Sequence, residues 1–151
     1  MSFRLLCAQR GVAVPFDIGI EDPYQVQGFQ REHIKTAFNI MLNAKTEIAA
    51  ERAIARELMT RRVPEPYKHA RALMTAVASQ FGDLGEVWCS GIGLSLQAVD
   101  ARICSRVQRR LRKEGVPALS VHDSFIVPES AQDMLKAVME EEMLRACERA
   151  G

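Results

Sequence analysis

Aromatic residues make up only 6% of this 151-residue chain, so the expected core rests on Leu, Ile, Val, Met and Ala. The four cysteines, Cys7, Cys89, Cys104 and Cys147, are widely spaced and form no C-x-x-C pair. That spacing argues against a zinc site and against a disulfide framework; reduced thiols in a cytoplasmic protein are the expectation. No apolar run approaches the roughly 20 residues of a membrane-spanning helix, and no membrane partner is expected. The opening "MSFRLLCAQRG" has no A-x-A cleavage site and is not read as a signal peptide. Neither sign of charge dominates: the net charge is +1, which by itself points to no partner. Repeats and low-complexity segments are absent too.

What is present is ordinary for a globular domain, 48% hydrophobic and 26% charged, and the length suits one domain spanning residues 1–151 or a fragment of a larger protein. Phe3, Leu5, Leu6 and Cys7 form a short apolar segment, and "GVAVPFDIGIEDPYQ" has the Gly, Pro and Asp punctuation of a loop. From Arg31 to about Arg61 no Gly or Pro interrupts good helix formers, so one or two helices are expected. "VPEP" at Val63 to Pro66 breaks that run and opens a helix from about Tyr67 to Gln80. "FGDLGEVWCSGIG" resists assignment. A long helix follows from roughly Leu94 to Glu114, with Gly115 as its stop. Ala118 to Val121 and Phe125 to Val127 read as strands around a His-Asp-Ser turn, and Ser130 with Asp133 reads as a capping signal for a last helix to about Arg149. The expected class is α+β, mostly helical, with a small antiparallel hairpin, Ala118 to Val127, packed on helices.

Three constellations carry chemistry. On the helix "REHIKTAFNIMLNA", Arg31, Lys35, Asn39 and Asn43 recur every four residues as one polar stripe, opposite a core face of Ile34, Ala37, Phe38, Met41 and Leu42. Two cations a turn apart followed by amides suit a polyphosphate, although a solvated helix face shows the same pattern. The helix "VDARICSRVQRRLRKEG" sets an apolar stripe of Val99, Ile103, Val107 and Leu111 beside a basic one of Arg102, Arg106, Arg109 and Lys113, with Arg110 and Arg112 nearby. From Ala101 to Gly115 the only acid is Glu114, a footprint for a nucleic-acid backbone or a basic helix end favoured by its dipole. In "LSVHDSFIVPES", His122 and Asp123 stand at a hairpin tip flanked by Val121 and Phe125, both expected to pack in the core. A rigidly presented carboxylate suits Mg²⁺, and it equally suits an Asp that caps its own turn.

In this order the three segments resemble the palm and fingers of family A DNA polymerases and the related single-subunit RNA polymerases of phage and mitochondria. "REHIKTAFNIMLNA" is similar to their R-x-x-x-K motif at Arg31, Lys35 and Thr36, and "SVHDSFIVPES" to their V-H-D motif in its Ser-Phe form. "EDPYQ" resembles a segment that precedes the Arg-Lys helix in the family. The resemblance implies a partial polymerase palm acting as a template-directed nucleotidyltransferase. Arg31 and Lys35 would hold the triphosphate of a nucleoside triphosphate, Asp123 would be a Mg²⁺ ligand, and His122 would lie beside the 3′ end of a DNA or RNA primer-template. Arg102, Arg106, Arg109 and Lys113 would follow the nucleic-acid backbone.

Two departures stand out. Asn43 occupies the position of a family Tyr that reads the sugar, which leaves deoxyribose against ribose open. "MSFRLLCAQRG" looks like the tail of the family's first motif, D-x-x-x-I-E-L-R-x-L, with Met1, Ser2, Phe3 and Arg4 on its I-E-L-R positions. In that register the motif's Asp would lie four residues before Met1. A two-metal centre needs carboxylates bridging ions roughly 3.5–4 Å apart, so the chain alone is expected to be inactive, completed by an N-terminal segment or partner chain. An open sheet edge and an uncovered apolar face are expected at the hairpin. Two other functions compete. One is a non-catalytic nucleic-acid-binding or interaction module. The other is a metal phosphohydrolase of the HD type using His33, His69, His122-Asp123 and Asp133, which would put the His-Asp pair on a helix.

Overall fold

The computed structural model describes residues 22–121 and 124–148, of which 71% are helical. Phe3 to Cys7, the loop as far as Glu21, and the pair His122 and Asp123 lie outside the described residues. The chain divides into two compact units, one from residue 14 to 95 and one from residue 96 onward.

The first unit is helical. The Arg31 to Arg61 run forms two helices, α1 (Arg31–Asn43) and α2 (Glu47–Thr60). Thr46 divides them: its hydroxyl oxygen accepts from the Ala49 N–H at 3.2 Å and caps the second. Glu65 takes a left-handed conformation, with φ +47°, and Pro66 then starts α3 (Pro66–Gln80). Pro at this position loses no helical hydrogen bond, because the first N–H groups of a helix have no partner anyway. The three helices bury Ile34, Ala37, Phe38, Met41 and Leu42 of α1, Ala50, Ile54, Ala55 and Leu58 of α2, and Ala70, Leu73 and Val77 of α3, none more than 5% exposed. The core face expected of α1 is the face it buries.

The stretch that resisted assignment is a 3-10 helix, Gly82–Val87, kinked at Gly85, whose φ of +59° suits glycine. It completes the same core, since Phe81, Leu84 and Val87 are at most 2% exposed. The Cys89 N–H then donates to the Met41 carbonyl at 2.7 Å and the Gly91 N–H to that of Ala44 at 2.8 Å, fastening the segment to the end of α1. The expectation of a core with little aromatic content needs correcting here. Tyr24, Phe38, Phe81 and Trp88 gather into one cluster with ring centroids 4.9–6.4 Å apart in the five contacts between them. Scarce aromatics concentrated at one place do more for a core than the average composition suggests.

The second unit holds most of α4 (Gly93–Lys113), a two-stranded antiparallel sheet and α5 (Gln132–Glu148). Helix α4 ends as its sequence foretold. Gly115 has φ +72° and the Val116 N–H reaches back to the Leu111 carbonyl at 2.9 Å. Ile103, Val107 and Leu111 are buried and Val99 is half-buried. The buried Glu142 of α5 accepts from Arg145 at 3.0 Å and from Arg110 of α4 at 3.4 Å, while Arg110 also donates to Glu141 at 2.6 Å. A carboxylate this enclosed needs such partners to offset its lost hydration.

Strands β1 (Leu119–Val121) and β2 (Ser124–Ile126) pair Leu119 with Ile126, Ser120 with Phe125 and Val121 with Ser124. Three expectations change here. Ser124 belongs to β2, paired with Val121, and not to the turn. Val121 is 46% exposed, not core-packed, and shares an open face with Leu119 and Ile126, at 67% and 59%; Phe125, on the other face, is half-buried. Ser130 lies inside a 3-10 turn, Glu129–Ala131, that runs straight into α5, so it does not sit at the helix start.

Candidate functional site

The polar stripe of α1 is the site the sequence singled out most clearly. Arg31, Lys35, Asn39 and Asn43 are all exposed, because the opposite side of the helix is committed to the core. Their common face follows from the four-residue spacing.

Arg31 is held in place before any ligand arrives. Asp22 turns on itself, its carboxylate accepting from the Tyr24 N–H at 3.1 Å, and the same carboxylate pairs with the Arg31 guanidinium. Arg31 also donates to Glu32 at 2.9 Å and lies over the Tyr24 ring, 5.7 Å from its centroid. The Arg31 guanidinium is the main reason the Asp22 carboxyl sits below the usual carboxylate range, and the Tyr24 N–H adds to it. Tyr24 packs edge-on against Phe38, so the "EDPYQ" segment is anchored to the helix it precedes. Burial pushes the Tyr24 hydroxyl up, which keeps it protonated at neutral pH.

Lys35, one turn further, has no ion-pair partner among the described residues. Asn43 is engaged elsewhere. Its amide donates to the Asn39 carbonyl at 2.8 Å, and its side-chain oxygen fills the space a Cβ on Gly93 would take. Only glycine lets the start of α4 come this close. The sequence offered no sign of that contact, which joins residues 50 positions apart.

Sequence reasoning also missed what the buried side of α1 carries. His33 is 7% exposed, and its Nδ1 has no hydrogen-bond partner among the described residues. Its ring meets that of His69 edge-on at 6.0 Å, and the His69 ring meets Phe29 at 6.1 Å. Burial lowers the His33 pKa, and the nearby positive charge of Arg61 and the His69 ring add to that. His33 and His69 thus belong to the packing between α1 and α3. Asp133, the last residue of the HD-type reading, stands on α5 in the other unit.

In the second unit, Arg102, Arg109 and Lys113 are exposed and Arg106 half-buried along α4. Arg109 donates to the Ser105 carbonyl at 3.2 Å. None of the four has an ion-pair partner among the described residues, unlike Arg110. Gln108 on the same helix donates to the Ser120 hydroxyl of β1 at 3.1 Å, which ties the hairpin to α4. β1 ends at Val121 and β2 begins at Ser124, so the β-branched and aromatic residues Val121, Phe125 and Ile126 are strand, as their types predicted.

Among the described residues, which do not include Asp123, three or more His, Cys, Asp or Glu side chains are gathered nowhere. No helix among them is long and apolar enough to cross a membrane. No protein-family model matches the chain, and neither a curated protein nor a solved structure matches it.

Proposed function

We propose that this chain is part of a template-directed nucleotidyltransferase of the family A type and that α1 grips the triphosphate of an incoming nucleotide. The observation that carries this reading is the outward line of Arg31, Lys35 and Asn39, with Arg31 oriented by Asp22 and Tyr24. Arg31 offers a planar fork that can bind phosphate bidentately, and Lys35 a compact charge one turn away. In the ligand-free chain Asp22 occupies the guanidinium, so a triphosphate has to displace it. Asp123 contributes one Mg²⁺ ligand beside His122, and the exposed cations of α4 follow the primer-template. Two-metal transfer needs carboxylates that bridge both ions, so no catalytic step is assigned to Asp123 alone. The setting is the cytoplasm, in keeping with scattered, reduced cysteines.

The test is a titration of the whole chain with a nucleoside triphosphate and with the bare nucleoside at low salt. The triphosphate binds and the nucleoside does not. Lys35→Ala and Arg31→Ala each weaken binding about fivefold, as for a single exposed charge contact. Asp22→Asn strengthens it by removing the internal competitor. Equal affinity for nucleoside and triphosphate contradicts the reading.

A second reading rests on α4, where four cations stand without an ion-pair partner among the described residues. It makes the chain a nucleic-acid-binding module without catalysis. Duplex binding that falls steeply with salt and survives Asp123→Asn favours this reading over an active centre.

A further inference from the structure

On the side of the helical unit formed by α2, α3 and the segment after the 3-10 helix, a groove of about 370 Å³ opens between the elements. That volume falls within the range of small-molecule sites, toward its lower end. Its apolar lining comes from Met41, Ile48, Met74 and Trp88, with Ala78 and Cys89 also contributing. Methionine is unbranched and polarisable and adapts to irregular shapes, so two methionines beside an indole suit an aromatic or alkyl body.

The polar lining is unequal in charge. Glu51 is neutralised by Arg71, Nε to Oε1 at 2.8 Å. Glu47, in the first turn of α2, has no ion-pair partner among the described residues. The groove is therefore lined both by one carboxylate without an ion-pair partner among the described residues and by the Trp88 indole. Cys89 lines it in a left-handed conformation, with φ +56°, which a non-glycine residue adopts only when its surroundings enforce it. The Cys89 thiol is pushed up by burial and by the charge of Glu47, so it stays a neutral part of the wall.

We propose that this groove is a binding site for a small organic cation, an amine or amidine with an aromatic or alkyl body. The body packs on Met41, Met74 and Trp88, and the cationic head faces Glu47. Charge complementarity selects this occupant. An anion would meet Glu47 unshielded, and a neutral ligand would leave its charge unanswered. An indole also attracts a cation through its π face. The site uses a different side of α1 from the nucleotide stripe, so it stands apart from the function proposed above.

Trp88 is the single tryptophan of the chain and lines the groove, so its fluorescence reports binding directly. The probes are 4-phenylbutylammonium, 4-phenylbutanol and 4-phenylbutyrate, which share a body and differ in the charge of the head. The ammonium changes the emission saturably at the lowest concentration, the alcohol at a higher one, and the carboxylate at the highest or not at all. Glu47→Gln weakens the ammonium about fivefold, as for one exposed charge pair, and leaves the alcohol unchanged. Ala78→Phe fills the groove and weakens ammonium and alcohol alike. Equal binding of the three probes, no saturable change, or an ammonium affinity indifferent to both substitutions overturns the proposal.

Discussion

The helical unit and the hairpin of the second unit treat their apolar residues in opposite ways. In the helical unit, residues from α1, α2, α3 and the 3-10 helix close on one another until a dozen or more large and small side chains reach 5% exposure or less. In the second unit, Leu119, Val121 and Ile126 lie together on one face of a two-stranded sheet and remain 46–67% exposed. Both stretches look equally hydrophobic when read along the chain. A helix whose apolar stripe meets two other stripes finds its partners within about 60 residues. A short hairpin has two faces, and among the described residues Leu119, Val121 and Ile126 on one of them stay exposed.

The largest expected effect tests the closed side of this contrast. Phe81 is 1% exposed and touches Tyr24, Phe38 and Trp88, so Phe81→Ala should cost about 3–5 kcal/mol in urea unfolding. A loss below about 1 kcal/mol would erase the difference between the helical unit and the hairpin.

A smaller effect sharpens the account of α1. The fold lowers the His33 pKa, so below the unfolded value of 6.5 the unfolded chain binds a proton more readily than the folded one. Stability is therefore full above that value and falls as pH drops from 6.5 toward the folded pKa. His33→Leu should remove this dependence and relieve an unsatisfied buried nitrogen, a group that costs on the order of 1–3 kcal/mol. Thermal melts of both proteins at pH 7 and pH 5 check it. Parallel losses on acidification would locate the titrating group elsewhere.

The smallest effect belongs to the open sheet. Leu119→Thr and Ile126→Thr should each change stability by no more than about 0.5 kcal/mol, as exposed positions do. The same pair should reduce any concentration-dependent association seen by sedimentation, because it removes an apolar patch beside strand edges that no other described strand pairs. A loss above about 2 kcal/mol from either would mean that this face is covered.

These contrasts also explain how much of the molecule could be read in advance. The helices were legible because Pro66 and Gly115 act on their immediate neighbours, and because Ile34, Phe38 and Met41 keep helical spacing; the division at Thr46 was left open. The exposed line of Arg31, Lys35, Asn39 and Asn43 followed from the same periodicity. The 3-10 helix was not legible, since glycine-rich sequence permits many conformations and Leu84 and Val87 are fixed only by the core they enter. Nor was the aromatic cluster, assembled from positions 24, 38, 81 and 88, or the contact between Asn43 and Gly93. Val121 was assigned to the wrong side for a similar reason: alternation along a strand shows that two faces differ, not which of them is covered. What Arg31 does in the absence of ligand depended on Asp22, nine residues away, folding back through a turn.

The most direct measurement is a chemical-shift map of the ¹⁵N-labelled chain titrated with a nucleoside triphosphate. The account predicts saturable shifts at the amides of Arg31 to Asn43 and of Asp22 and Tyr24, lost in the Arg31→Ala, Lys35→Ala double variant. Shifts confined to other helices, or none that saturate, would contradict it.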